Sequence, residues 1–75
     1  MPRVPGIPGP SRFFFYSFDC REPKHVHARR EDKFWLEPIS LARNHGFPRW
    51  ELSVIRSYIE DYLAGILEAW DEHCG

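Results

Sequence analysis

Two hydrophobic periods divide the chain. Up to about Arg43 the apolar residues come in short runs suited to strands, and from Pro48 onward they recur every three or four positions. The first run, RFFFYSF (Arg12 to Phe18), is dense in β-favouring aromatics and nearly apolar throughout, which predicts a central strand. DCREPK follows as a turn punctuated by Asp19 and Pro23. HVHARR and KFWLE then read as the arms of a hairpin. With a loop of Arg30 to Asp32, Val26 lies opposite Leu36 and Ala28 opposite Phe34, collecting the apolar residues on one face. The other face carries His25, His27 and Arg29 opposite Glu37, Trp35 and Lys33. An even-numbered loop mixes the two faces, so an odd loop is expected. Pro38 ends or bends the second arm, and ISLARN fits a short edge strand before a turn at His45 and Gly46.

Beyond Pro48, the residues Leu52, Ile55, Ile59, Tyr62, Ile66 and Trp70 form an apolar stripe at helical spacing, widened by Leu63 and Leu67. Roughly 25 residues of helix span about 38 Å, longer than strands of this size can cover. Either Gly65 bends the helix or one end projects. The expected class is α+β: a small antiparallel sheet of three to four strands with one long C-terminal helix packed across one face. Four of the seven prolines and two of the five glycines fall within residues 1–10, so residues 1–11 are expected to form a flexible Pro/Gly-rich arm before a single domain over residues 12–75.

A chain of 75 residues holds one core, and a domain this small buries only roughly 60% of the surface its unfolded form exposes. Its formal charge of −1 argues against a dedicated nucleic-acid protein, but the charge is divided unevenly. Residues 1–47 carry eight Lys/Arg against five Asp/Glu, whereas residues 48–75 carry two against six. A basic half and an acidic half invite partners of opposite sign. Cys20 and Cys74 do not amount to a disulfide framework, and no secretory signal or membrane-spanning run is read, so a soluble cytoplasmic protein with reduced thiols is expected.

The run from FFFYSFD through EPKHVHARRED and KFWLEPISLARNHGF to ILEAWDEH resembles a small uncharacterised bacterial family, numbered 4160 among domains of unknown function. The resemblance covers residues 12–73. Family members typically carry a PPHxH turn, which here is Glu22-Pro23-Lys24-His25-Val26-His27, with Lys24 where a second proline is usual. A capping serine is usual where this chain has Pro48. The resemblance implies a bacterial cytosolic protein, often encoded beside the family numbered 2442 in pairs proposed as toxin–antitoxin modules. It implies no established activity.

The sharpest chemical feature is the histidine pair. Two imidazoles can begin a metal site, with Glu37 as a third ligand and Asp19 or His45 as a fourth, but stable sites need three or four ligands. Zinc is therefore expected to bind weakly or not at all, and no cofactor is expected. The same face supplies the residue types for acid–base cleavage of RNA: His25, His27, Arg29, Lys33 and Glu37 as catalytic candidates, with Trp35 and Tyr16 to stack a base. The simpler expectation is a polar sheet face on a domain that binds a small cognate protein or a second copy of itself. Docking would then use the acidic C-terminal helix, through Glu68 and Asp71 around Trp70 as anchor. RNA binding is the alternative, and no membrane is expected.

Overall fold

The structure is a computed structural model that describes residues 3–7, 12–28, 32–44 and 46–75. Four strands, β1 (Phe13–Phe14), β2 (His25–Ala28), β3 (Asp32–Leu36) and β4 (Ile39–Arg43), precede two helices, α1 (Arg49–Asp61) and α2 (Leu63–Cys74). A 3-10 turn, Asp19–Arg21, links β1 to β2. The sheet is antiparallel throughout and its strands lie in chain order. This is the α+β fold that the two periods predict.

The aromatic run lies at an edge of the sheet rather than at its centre, and only Phe13 and Phe14 are strand. It is apolar on both sides for a local reason. Phe13 and Phe15 enter the main core, while Phe14 stacks on His27 across the opposite face. The segment expected to precede the domain as a loose arm adds to this edge. Arg3 bridges Phe14, the Val4 N–H donates to the Phe13 carbonyl, and Val4 is buried in the core.

Within the hairpin, Val26 pairs with Phe34 rather than Leu36, His25 with Trp35 rather than Glu37, and His27 with Lys33. The pairing is therefore shifted by two residues from the expected one, leaving residues 29–31 between the strands. A shift of two keeps every side chain on its own face, so Val26, Ala28, Phe34 and Leu36 still line the core together. The expected solvated face is not solvated: all four residues of β2 are buried. Between β3 and β4 the register shifts as well, with Phe34 opposite Leu41 but Lys33 opposite Arg43, so Ala42 is the extra residue of a bulge.

Gly46 turns the chain toward the helices at φ +107°, a conformation that a side chain would strain. Pro48 then sets the start of α1, its carbonyl accepting from the N–H groups of Glu51 and Leu52. Most of the apolar stripe packs as its spacing predicts, with Ile55, Ile59, Ile66 and Trp70 buried and Leu52, Leu63 and Leu67 partly so, whereas Tyr62, at the break between the helices, is exposed. The helix is interrupted at Tyr62 (φ −112°, ψ 18°), not at Gly65. The break is local, because Tyr62 N–H still reaches the Tyr58 carbonyl and Ile66 N–H the Tyr62 carbonyl, each at 3.0 Å. Ile59→Val should cost about 0.5–1.5 kcal/mol in denaturant unfolding, because Ile59 is fully buried and the change removes one methylene from its packing.

Cys20 and Cys74 are joined as a disulfide, contrary to the expectation of reduced thiols. The end of α2 lies against the 3-10 turn, bringing the two Cα atoms to 5.4 Å, within the range such a bond spans. Among the described residues, no helix is long and apolar enough to cross a membrane.

Candidate functional site

The 3-10 turn after Phe18 folds the Asp19 carboxylate back under the sheet, where the Tyr16 N–H donates to its Oδ2 at 2.7 Å. β2 then presents two imidazoles to it, because His25 and His27 are two residues apart and share a face. His27 Nε2 lies 3.0 Å from Asp19 Oδ2 and His25 Nε2 lies 3.2 Å from Asp19 Oδ1. The group is almost dry: His25 is 0% exposed, Asp19 2% and His27 8%. Aromatic rings enclose it. His25 packs against Trp35 and Trp70 at centroid distances of 5.5 and 5.2 Å, and His27 against Phe14 and Tyr16 at 5.5 and 4.7 Å.

The hydrogen bonds determine the tautomers. His25 Nδ1 is 2.8 Å from the Pro23 carbonyl, which can only accept, so Nδ1 carries a proton. A neutral His25 ring therefore has its lone pair on Nε2, facing the Asp19 carboxylate. Despite the 3.2 Å separation, this contact lacks the alignment of a hydrogen bond, and His25 Nε2 is left without a partner. His27 Nε2–H donates to Asp19, leaving the buried Nδ1 of His27 unpartnered.

Burial pushes Asp19 upward, but the Tyr16 N–H and then the His27 ring outweigh it and hold the carboxyl below its ordinary value. Burial is also the larger influence on His27. It lowers that ring's pKa against the opposing pull of Asp19, so His27 is neutral near pH 7. Glu22 is held low by its hydrogen bond to Lys33.

Of the candidate residues, His25, His27 and Trp35 come together, with Tyr16 over His27. Lys33 lies beside them, paired with Glu22 and 4.6 Å over the Trp35 ring. Glu37 does not join the group; it is exposed, in the turn between β3 and β4, 4.0 Å from Lys24. Arg29 and His45 lie outside the described residues. On α2, Glu68 and Asp71 are exposed, and Asp71 pairs with Lys24 at 3.6 Å. Trp70 is 5% exposed and wedged between Phe15 and His25, so it is core rather than a surface anchor.

A cleft of about 180 Å³, lined by Tyr16, Phe18, Asp19, Glu22, His27, Lys33 and Arg43, opens beside the buried group. That is too small for a nucleotide-sized ligand, which needs roughly 300 Å³ or more, but it admits water and small ions. Spacing along the chain shows the histidine pair. Asp19, expected only as one alternative for a fourth ligand, is their common partner in place of Glu37, and spacing does not show Pro23 as the acceptor that sets the tautomer of His25. The one available hint was an aspartate at the turn entering the histidine strand.

A sheet flanked by a pair of consecutive helices, with a carboxylate–imidazole group under one strand, defines a small α+β domain with a buried polar centre. The chain belongs to the family described as a domain of unknown function, DUF4160, whose model matches residues 11–71. No curated protein and no solved structure matches it.

Proposed function

We propose that the domain is an interaction module that binds a small cognate protein, as one component of a bacterial toxin–antitoxin-type pair. What supports this is the outer edge of β4, with which no further strand pairs among the described residues and where Arg56 of α1 donates to the Ile39 carbonyl at 3.0 Å. The opposite edge of the sheet is occupied, since β1 takes up Arg3 and Val4. β4 is the other outermost strand, mostly exposed, with Leu41 43% exposed at its middle. A free edge offers N–H and C=O groups in a row, and a partner strand can pair with them while a neighbouring side chain gives specificity. On α1, Trp50 and Val54 are four residues apart and exposed, offering a second apolar contact that Trp70 cannot supply.

Cleavage of RNA at the histidine face is the weaker alternative. General acid–base help requires groups within hydrogen-bond reach of the substrate. His25 is wholly enclosed and its Nδ1 is committed to the Pro23 carbonyl.

The test is association with the purified product of the adjacent reading frame. Leu41→Lys places a charge on the edge strand at an exposed position and should leave the circular dichroism unchanged. It should weaken association by roughly 10-fold or more, as loss of about 1.4 kcal/mol at an interface does. Unchanged affinity with an intact fold would rule out the β4 edge as the docking surface. Loss of a concentration-dependent homodimer instead would identify the partner as a second copy.

A further inference from the structure

We infer that Asp19, His25 and His27 form a binding site for a zinc-class divalent cation, with one carboxylate oxygen and the two Nε2 atoms as ligands. The donor atoms of the three residues all lie within 4.8 Å of one another. A tetrahedral ion with ligand bonds of about 2.0–2.1 Å places its ligands about 3.3 Å apart. Each Nε2 lies about that far from a carboxylate oxygen, His25 at 3.2 Å from Oδ1 and His27 at 3.0 Å from Oδ2. A rotation of the carboxylate and small shifts of the rings therefore bring one oxygen and both nitrogens onto an ion.

The unpartnered nitrogen is the second observation. His25 Nε2 is buried, lies 3.2 Å from a carboxylate oxygen and has no hydrogen-bond partner, so in the Nδ1–H tautomer two acceptors face each other there. Two acceptors facing each other in a dry site call for a cation between them. The Nδ1–H bond to the Pro23 carbonyl is also the kind of outer contact that fixes a metal-binding imidazole in the right tautomer and orientation. His27 needs one adjustment, moving its proton from Nε2 to Nδ1. Its Nδ1 has no protein partner now, so the shift breaks no bond there. The adjoining cleft, which His27 and Asp19 line, gives the ion a route in and a water to complete its coordination. Two nitrogens and one oxygen suit zinc better than calcium or magnesium, which prefer oxygen alone.

The site is independent of the docking edge proposed above, and its test uses the metal alone. Chelator-stripped, disulfide-intact protein is titrated with Zn²⁺ by calorimetry and with Co²⁺ by visible absorption. One ion per chain and the intense bands of four-coordinate cobalt are expected. His25→Ala should weaken Zn²⁺ binding by more than the roughly 10–100-fold that follows loss of an outer partner. Glu37→Gln, at an exposed carboxylate that lies apart from the group and faces Lys24, should leave the affinity unchanged. If His25→Ala fails to fold, nitrogen NMR of the imidazoles in the unaltered protein decides. Zinc-induced shifts at Nε2 of both His25 and His27 support the site. Failure to take up stoichiometric ion, or binding that leaves those two nitrogens unmoved, overturns it, and the cluster then holds only a proton.

Discussion

Replacing Asp19 with alanine in metal-free buffer should cost about 2–6 kcal/mol of folding stability, the penalty for two donors that lose their acceptor. Three contacts end at this carboxylate: the Tyr16 N–H at 2.7 Å, His27 at 3.0 Å and His25 at 3.2 Å. Alanine leaves the Tyr16 N–H and the His27 Nε2–H without their carboxylate acceptor, at about 1–3 kcal/mol each. A domain of 75 residues has roughly 4–11 kcal/mol in total, so this variant should be partly unfolded at room temperature. Asp19→Asn separates charge from hydrogen bonding. The amide oxygen can still accept from Tyr16 and His27, and its NH₂ can donate to the lone pair on His25 Nε2. Its cost should be under half that of alanine. Urea midpoints of the two variants check both values; an alanine cost below about 1 kcal/mol would show that the cluster does not hold the fold together.

The contrast between Asp19 and the helical stripe shows what a linear pattern can carry. Ile55, Ile59 and Ile66 were legible because burial on one side of a helix is periodic in the chain itself. The face shared by Val26, Ala28, Phe34 and Leu36 was legible for the same reason, through parity. The two-residue slip was not, since it leaves parity intact. Nor was the burial of the histidine face. It arises because Phe14 and Tyr16, brought alongside by β1, close over His27, while Trp35 and Trp70 close over His25. None of those contacts has a counterpart in local spacing. An alternation of histidines with apolar residues usually marks a wet face; here a turn carboxylate satisfies part of it and allows burial. Trp70 was misassigned through the same omission, because the helix looked longer than its sheet while the aromatic strand and His25 supplied further surface for it to cover.

Reduction of the Cys20–Cys74 bond should lower stability by about 4 kcal/mol, the chain-entropy value for a crosslink spanning 54 residues. For a domain of this size that is a shift of roughly 15–30 °C in Tm. The bond encloses most of the chain, so the unfolded ensemble it restricts is large. It also ties the residue after Asp19 to the last turn of α2, whose His73 donates to the Tyr16 carbonyl at 2.9 Å and stacks on Phe15. Opening it therefore loosens the turn that holds the carboxylate under β2. The loss should be felt at the histidines before it is felt at α1, where Ile55 and Ile59 are buried in the core. Thermal unfolding of the oxidised protein, the reduced protein and Cys20→Ser checks this: the last two should melt together, well below the first. Hydrogen exchange should then rank the sites, with the Tyr16 amide losing protection on reduction and the Ile59 amide keeping it until global unfolding. Equal midpoints with and without reductant would show that the two thiols are not joined in solution.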